Sequence, residues 1–147
     1  MKKRIIALGL LWCLSAVMLQ AARVDTVLVR SAAMNKDVKV VYVLPDKAIG
    51  KQACPVVYLL HGYGGNARSW VQLKPELPQM ADEKGIIFVC PDGKNSWYWD
   101  SPENPAYRYE TFVTSELVKY TDGNYATIPD RKARAIRGLS TGGPRAL

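Results

Sequence analysis

The sequence predicts an α/β fold, a mostly parallel sheet with crossover helices, entered through an antiparallel hairpin at its edge. Two observations carry most of that reading. Pro55 to Leu60 and Ile86 to Cys90 are continuous apolar runs without alternation, the pattern of parallel strands covered on both faces. Between and after them, apolar residues recur at helical spacing, and strand alternating with helix implies a parallel sheet with right-handed crossovers. The hairpin comes first: Val24 to Ser31 reads as a strand, Met34 to Asp37 as a turn, and Val38 to Leu44 as a second strand, in which Val38, Val40, Tyr42 and Leu44 alternate with Lys39, Val41 and Val43. After the first buried run, Trp70, Leu73, Leu77 and Met80 mark an irregular helix that Pro75 and Pro78 must break or kink. Cys90 is followed by Pro91-Asp92-Gly93 and an aromatic loop from Lys94 to about Tyr107. Phe112, Val113, Leu117 and Tyr120 share a helical face that Asp122-Gly123 should close, and Ala133 to Arg137 is a last strand.

Composition narrows the classes. Hydrophobic residues at 48% and charged residues at 22% exclude disordered, collagen-like and coiled-coil chains. At 147 residues the chain is short for an open sheet of this kind, which usually needs roughly 200, so it reads as part of a longer domain. Residues 1–22 have the layout of a secretory signal peptide: Lys2, Lys3 and Arg4, an apolar run from Ile5 to Leu19, then Gln20-Ala21-Ala22. That run is shorter than the ~20 residues a bilayer span needs. A periplasmic or extracellular protein without a stable membrane anchor is therefore expected, residues 23–147 being the mature segment. The net charge of +7 falls to +4 without the three leader cations, and no basic stripe interleaved with aromatics argues for nucleic acid. The cluster Arg131, Lys132, Arg134 and Arg137 reads as a solvated strand entry. Of the cysteines outside the leader, Cys54 precedes one buried run and Cys90 ends the other. On neighbouring parallel strands their sulfurs would lie roughly 15 Å apart, so they should be unpaired thiols.

The chemistry concentrates near the end of the chain. Gly138-Leu139-Ser140-Thr141-Gly142 is a G-x-S-x-G pentapeptide placed directly after a predicted strand, the strand-turn-helix setting that presents a nucleophilic serine. Composition alone would make the pentapeptide a weak signal; its setting strengthens it. Pro144 is compatible with a helix start, because the first helical N–H groups have no partner within the helix. The second element is His61-Gly62-Tyr63-Gly64-Gly65, a glycine-rich turn after a buried strand that can aim an N–H at a developing oxyanion, with the Thr141 N–H as the other donor. His61, the only histidine, precedes the serine and reads as a structural residue of its own loop. In the order serine, Asp or Glu, His, the two remaining triad members are expected beyond Leu147. Trp97, Tyr98 and Trp99, with Tyr107 and Tyr109, lie at the carboxyl end of a strand and either line an acyl or aryl pocket or pack their own loop.

These residues resemble a known group, the esterase branch of the α/β-hydrolases that includes esterase D, feruloyl and acetyl-xylan esterases and the mycolyl-transferring antigen 85 proteins. The resemblance runs over most of Val24 to Leu147. It rests on Val29-Arg30-Ser31 with Val41 to Pro45, Leu59 to Gly65, Cys90 to Gly93, Ser96-Trp97-Tyr98, and Ile136 to Gly143. It implies an ester hydrolase with Ser140 as nucleophile, the N–H groups of Tyr63 and Thr141 as oxyanion hole, and neither metal nor cofactor. Thr141 stands where the family usually has Met, and Pro144-Arg145 replace an aromatic or histidine followed by a small residue. An exported esterase acting on small-molecule or polysaccharide esters, most simply acyl or feruloyl groups on carbohydrate, is the first expectation. The alternatives are an acyltransferase of the same family, and a catalytically inactive truncated esterase fragment or carbohydrate-binding remnant.

Overall fold

The computed structural model describes residues 22–139. The leader through Ala21 and the elbow residues Ser140 and Thr141 lie outside them. Five strands form one sheet in the order β1-β2-β4-β3-β5. β1 (Arg23–Ser31) and β2 (Lys36–Leu44) make the expected hairpin, paired from Arg23 opposite Leu44 to Ser31 opposite Lys36. Asn35, at a φ of 50°, closes its turn. β2 then pairs antiparallel with β4 (Ile87–Pro91), and β4 and β5 (Arg134–Gly138) flank β3 (Val56–Leu60) in parallel. The sheet is thus mixed, with a three-stranded parallel part beside the hairpin.

Both faces are covered. One carries Val38, Val40, Tyr42, Tyr58, Leu60, Ile87 and Val89 against Tyr109, Phe112, Val113 and Leu117. The other carries Val41, Val43, Leu59, Phe88 and Cys90 against Ala67, Trp70, Leu77 and Ala81. Here β2 departs from the alternation expected of it: Val40 to Leu44 are all buried, because β2 is an inner strand between β1 and β4 and both its faces meet helices. The helical segment over the second face is two helices, α2 (Ser69–Leu73) and α3 (Leu77–Lys84), after the short α1 (Asp46–Ile49). Pro75 falls in the break between α2 and α3. Helical phase is lost there, which leaves Leu73 65% exposed although its spacing had placed it on the buried face.

Over the first face run α4 (Tyr109–Thr111), a π-helical stretch Phe112–Leu117, and α5 (Val118–Asn124). Gly123 falls inside α5 instead of ending it. Glu116, in the π-helical stretch, accepts hydrogen bonds from Ser31 Oγ at 2.6 Å and from Ala32 N at 2.7 Å, which ties this layer to the hairpin turn. Cys54 and Cys90 are buried, unpaired thiols. Burial raises the pKa of both, and that of Cys90 reaches about 12.

Candidate active site

Because β3, β4 and β5 are parallel, their carboxyl ends emerge at one edge of the sheet, and each is followed by a segment the sequence marks as functional. β3 leads into residues 61–65, β4 into residues 92–99, and β5 into Leu139 and then Ser140. The junction of β3 and β5 is fixed by one carbonyl. Leu60 O accepts the Leu139 N–H at 3.1 Å and the buried Trp70 Nε1–H at 3.0 Å. The serine's strand is thereby held beside the glycine-rich turn, with Leu60 directly paired to Gly138.

His61 is the hinge between the two loops. It is 1% exposed, and both ring nitrogens are engaged. Gly93 N–H donates to Nε2 at 2.9 Å, so Nε2 is unprotonated, and the remaining ring proton sits on Nδ1, 2.7 Å from the Gly62 carbonyl it must meet. This is a neutral tautomer assigned from its hydrogen bonds. With no lone pair free and no exposure, the ring is unfit to take a proton from an attacking hydroxyl. Asp92 Oδ1 lies 3.4 Å from Nε2, and Asp92 Oδ2 pairs with Lys94 Nζ at 3.2 Å. Burial opposes the Asp92 charge, but the Lys94 N–H and the Lys94 ammonium favour it and hold the carboxyl below the usual carboxylate range.

The turn itself has the form an oxyanion donor needs. Gly65 N–H closes onto Gly62 O at 3.0 Å, and Gly64 takes a φ of 75°, a conformation that glycine adopts without penalty. Gly64 N–H donates to Asn95 Oδ1 at 2.9 Å. Between these two anchored amides, the Tyr63 N–H meets no acceptor among the described residues. Its side chain is 67% exposed and lies with its ring centre 6.1 Å from that of Trp97.

The three loop aromatics part company. Trp97, beside Tyr63 of the turn, is 54% exposed and Trp99 is also exposed, whereas Tyr98 is only 3% exposed. The Tyr98 hydroxyl donates to Pro91 O at 2.9 Å and accepts the His61 N–H at 3.2 Å. Tyr98 was expected on the pocket wall with its neighbours, but the structure puts it behind the site. The reason is its backbone: Trp97 and Tyr98 take φ values of 58° and 51°, which turns the second ring inward as the first turns outward. Tyr107 is at the margin of exposure, and Tyr109 is buried under Lys36, whose ammonium stands 4.8 Å from its ring centre. Asn95 was not singled out in the sequence; its bond spans two loops that only the fold brings together. No group of acidic, histidine and cysteine side chains suited to a metal occurs among the described residues. A cavity of about 490 Å³ between Leu44, Ile49 and Tyr125 lies at the opposite edge of the sheet and takes no part in this arrangement.

A parallel-sheet edge with a glycine-rich turn on one strand and a G-x-S-x-G pentapeptide after the next is an arrangement of the α/β-hydrolase fold. The chain belongs to the family described as "Putative esterase", whose model matches residues 31–147. An acetyl esterase of Caldicellulosiruptor saccharolyticus is 28% identical over 125 residues, covering 80% of this chain and 46% of that protein. Among solved structures, an S-formylglutathione hydrolase from Agrobacterium tumefaciens superposes with a TM-score of 0.75 at 27% identity, over 86% of this chain and 52% of the other. A ferulic acid esterase does so with a TM-score of 0.73 at 29% identity, over 86% and 53%. The chain thus spans about half the length of these relatives.

Proposed function

We propose that the chain belongs to an exported serine esterase that cleaves carboxylic esters, most simply acyl or feruloyl groups on carbohydrate, through an acyl-Ser140 intermediate. Ser140 Oγ attacks the ester carbonyl carbon while a general base takes its proton. The carbonyl oxygen becomes an oxyanion between the N–H groups of Tyr63 and Thr141, and the alcohol departs with the proton returned to it. Water then attacks the acyl-enzyme by the same route and frees the acid. The triad order places the base and its carboxylate partner after Ser140, and the engaged nitrogens of His61 agree with that assignment. The observation that carries the proposal is the Tyr63 N–H, left without an acceptor while Gly62, Gly64 and Gly65 around it are hydrogen-bonded, on the strand adjacent to the one that runs into Ser140.

The likeness to an acetyl esterase and a ferulic acid esterase supports the substrate class, as do the exposed, neighbouring rings of Tyr63 and Trp97 at the turn. The signal-peptide layout of residues 1–22 supports export toward an extracellular polymer. In the complete gene product, a fluorophosphonate probe should label Ser140, and Ser140→Ala should abolish labelling and turnover of p-nitrophenyl acetate. Labelling that persists in the variant would assign the nucleophile elsewhere.

A further inference from the structure

We propose that Asn95 is a positioning residue for the oxyanion donor: it restrains the turn that carries the Tyr63 N–H by holding the next amide, that of Gly64. The inference rests on the esterase reading of this site and adds to it a residue that acts through another.

The Tyr63 N–H lies in the Gly62–Tyr63 peptide plane, and the following plane, Tyr63–Gly64, restrains the other side of the Tyr63 Cα. The Gly62 side is held from within the turn by the Gly65 N–H to Gly62 O bond at 3.0 Å. The Gly64 side has no such internal restraint. Gly64 is exposed, and a Cβ built on it would meet nothing within 4 Å, so packing does not fix its orientation. The bond from Gly64 N–H to Asn95 Oδ1 at 2.9 Å is what holds it. A backbone N–H can be met only by an acceptor, so the amide oxygen of Asn95 faces the turn.

Asn95 in turn is mounted on a loop built to stay put. Lys94, Trp97 and Tyr98 have φ values of 50°, 58° and 51°, a conformation that side chains other than glycine adopt at a cost of ~1 kcal/mol or more each. Such strain persists only where the surroundings over-determine it. Here they do: Lys94 N–H bonds Asp92 Oδ1 at 2.8 Å, Ser96 Oγ donates to Gly93 O at 2.5 Å and accepts the Tyr98 N–H at 3.1 Å, and the Tyr98 hydroxyl bridges Pro91 O and the His61 N–H. An exposed side chain bonded to an exposed amide contributes little to stability, because water competes for both partners. Directional control of a neighbouring donor is where such a bond has leverage, since a displacement of about 1 Å at a reacting centre can lower the rate ~10²-fold.

The test compares Asn95→Ala with wild type in the complete gene product, reading kcat and KM for p-nitrophenyl acetate, the inhibition constant of phenylboronic acid, and Tm. Phenylboronic acid adds to the nucleophile as a tetrahedral adduct that uses the oxyanion hole. A misdirected donor lowers kcat about tenfold, raises the boronate constant by a similar factor, and leaves KM within about twofold and Tm unchanged. Unchanged kcat and boronate affinity in an otherwise active protein would overturn the role of Asn95 alone. So would a loss confined to KM, or one that simply follows a fall in Tm. A wild-type protein without turnover and without fluorophosphonate labelling of Ser140 would overturn the esterase reading and this inference with it.

Discussion

Replacing Gly93 by Ala should destabilise the protein far more than a one-methyl change normally does, and the structure says why. A Cβ at Gly93 would sit 2.4 Å from Cε1, 2.5 Å from Cζ and 2.8 Å from Cδ1 of Tyr98, where carbon atoms normally keep about 3.5–4.0 Å. The ring must retreat by roughly 1 Å to restore that spacing. It has nowhere to go, being buried with its hydroxyl held by Pro91 O and the His61 N–H, so the clash is relieved only by breaking those bonds or moving the Gly93 N–H off His61 Nε2. Overpacking of this kind costs about 1–3 kcal/mol, and each weakened hydrogen bond adds about 0.5–1.5 kcal/mol, so a loss of about 3 kcal/mol is expected. Urea unfolding of the complete gene product should show the midpoint falling at constant m-value. The same substitution in a Tyr98→Ala background, where the ring is gone, should cost less than about 1 kcal/mol, a coupling a double-mutant cycle isolates. An equal penalty in both backgrounds would refute the assignment of the clash to Tyr98.

Two further expectations concern groups away from the turn. Asp92, held below the usual carboxylate range when folded by the Lys94 N–H and ammonium, contributes stability that is present above its unfolded pKa near 4 and is lost as pH falls through its lowered folded value. Asp92→Asn should therefore flatten the stability curve between pH 4 and 2 by at most about 2 kcal/mol, and an unchanged acid limb in denaturation curves would remove Asp92 from the account. Cys54 and Cys90, buried with raised pKa values, should resist iodoacetamide at pH 8 in the folded protein and react only in denaturant, as peptide mass mapping would show; rapid modification of Cys90 under native conditions would contradict its place in the core.

The parallel core was legible because β3 and β4 are buried on both faces and so leave an uninterrupted apolar signature in the chain. β2 carries the same signature from Val40 to Leu44, but the polar Lys39 beside Val38 and Val40 imitates alternation, and the inner position of the strand depends on pairing with β4 far along the chain. The π-helical stretch Phe112–Leu117 left no mark, since apolar spacing there is compatible with an ordinary helix. At the site, the glycine run Gly62 to Gly65 after a buried strand was visible as a turn; the expected elbow at Ser140 lies outside the described residues. Contacts between loops were not visible. Tyr98 and Trp97 are adjacent in sequence and similar in character, yet backbone turns at positive φ send one to the core and the other to the surface. Asn95 acquires its partner 31 residues away only because β3 and β4 end side by side.

That side-by-side ending explains why a histidine occupies position 61 although it is not placed to act as a base. The carboxyl ends of parallel strands diverge into separate loops, and a donor turn on one of them needs bracing from the other. His61 supplies it with a single ring, Nδ1–H to its own turn at Gly62 O and Nε2 to Gly93 N–H on the loop after β4. Tyr98 adds a buried hydroxyl bridge behind it, and Asn95 an exposed bond in front. Three of the five non-glycine residues at positive φ among the described residues, Lys94, Trp97 and Tyr98, lie in the segment that makes these bonds, so strain and bracing coincide there. Under the proposed function, the described residues hold one of the two donors that stabilise charge, the Tyr63 N–H, and such a donor works by being rigid before substrate arrives. The groups that move protons belong after Ser140. Leu60 O, accepting both the Trp70 indole and the Leu139 N–H, fixes the end of the last described strand one residue before Ser140, the proposed nucleophile.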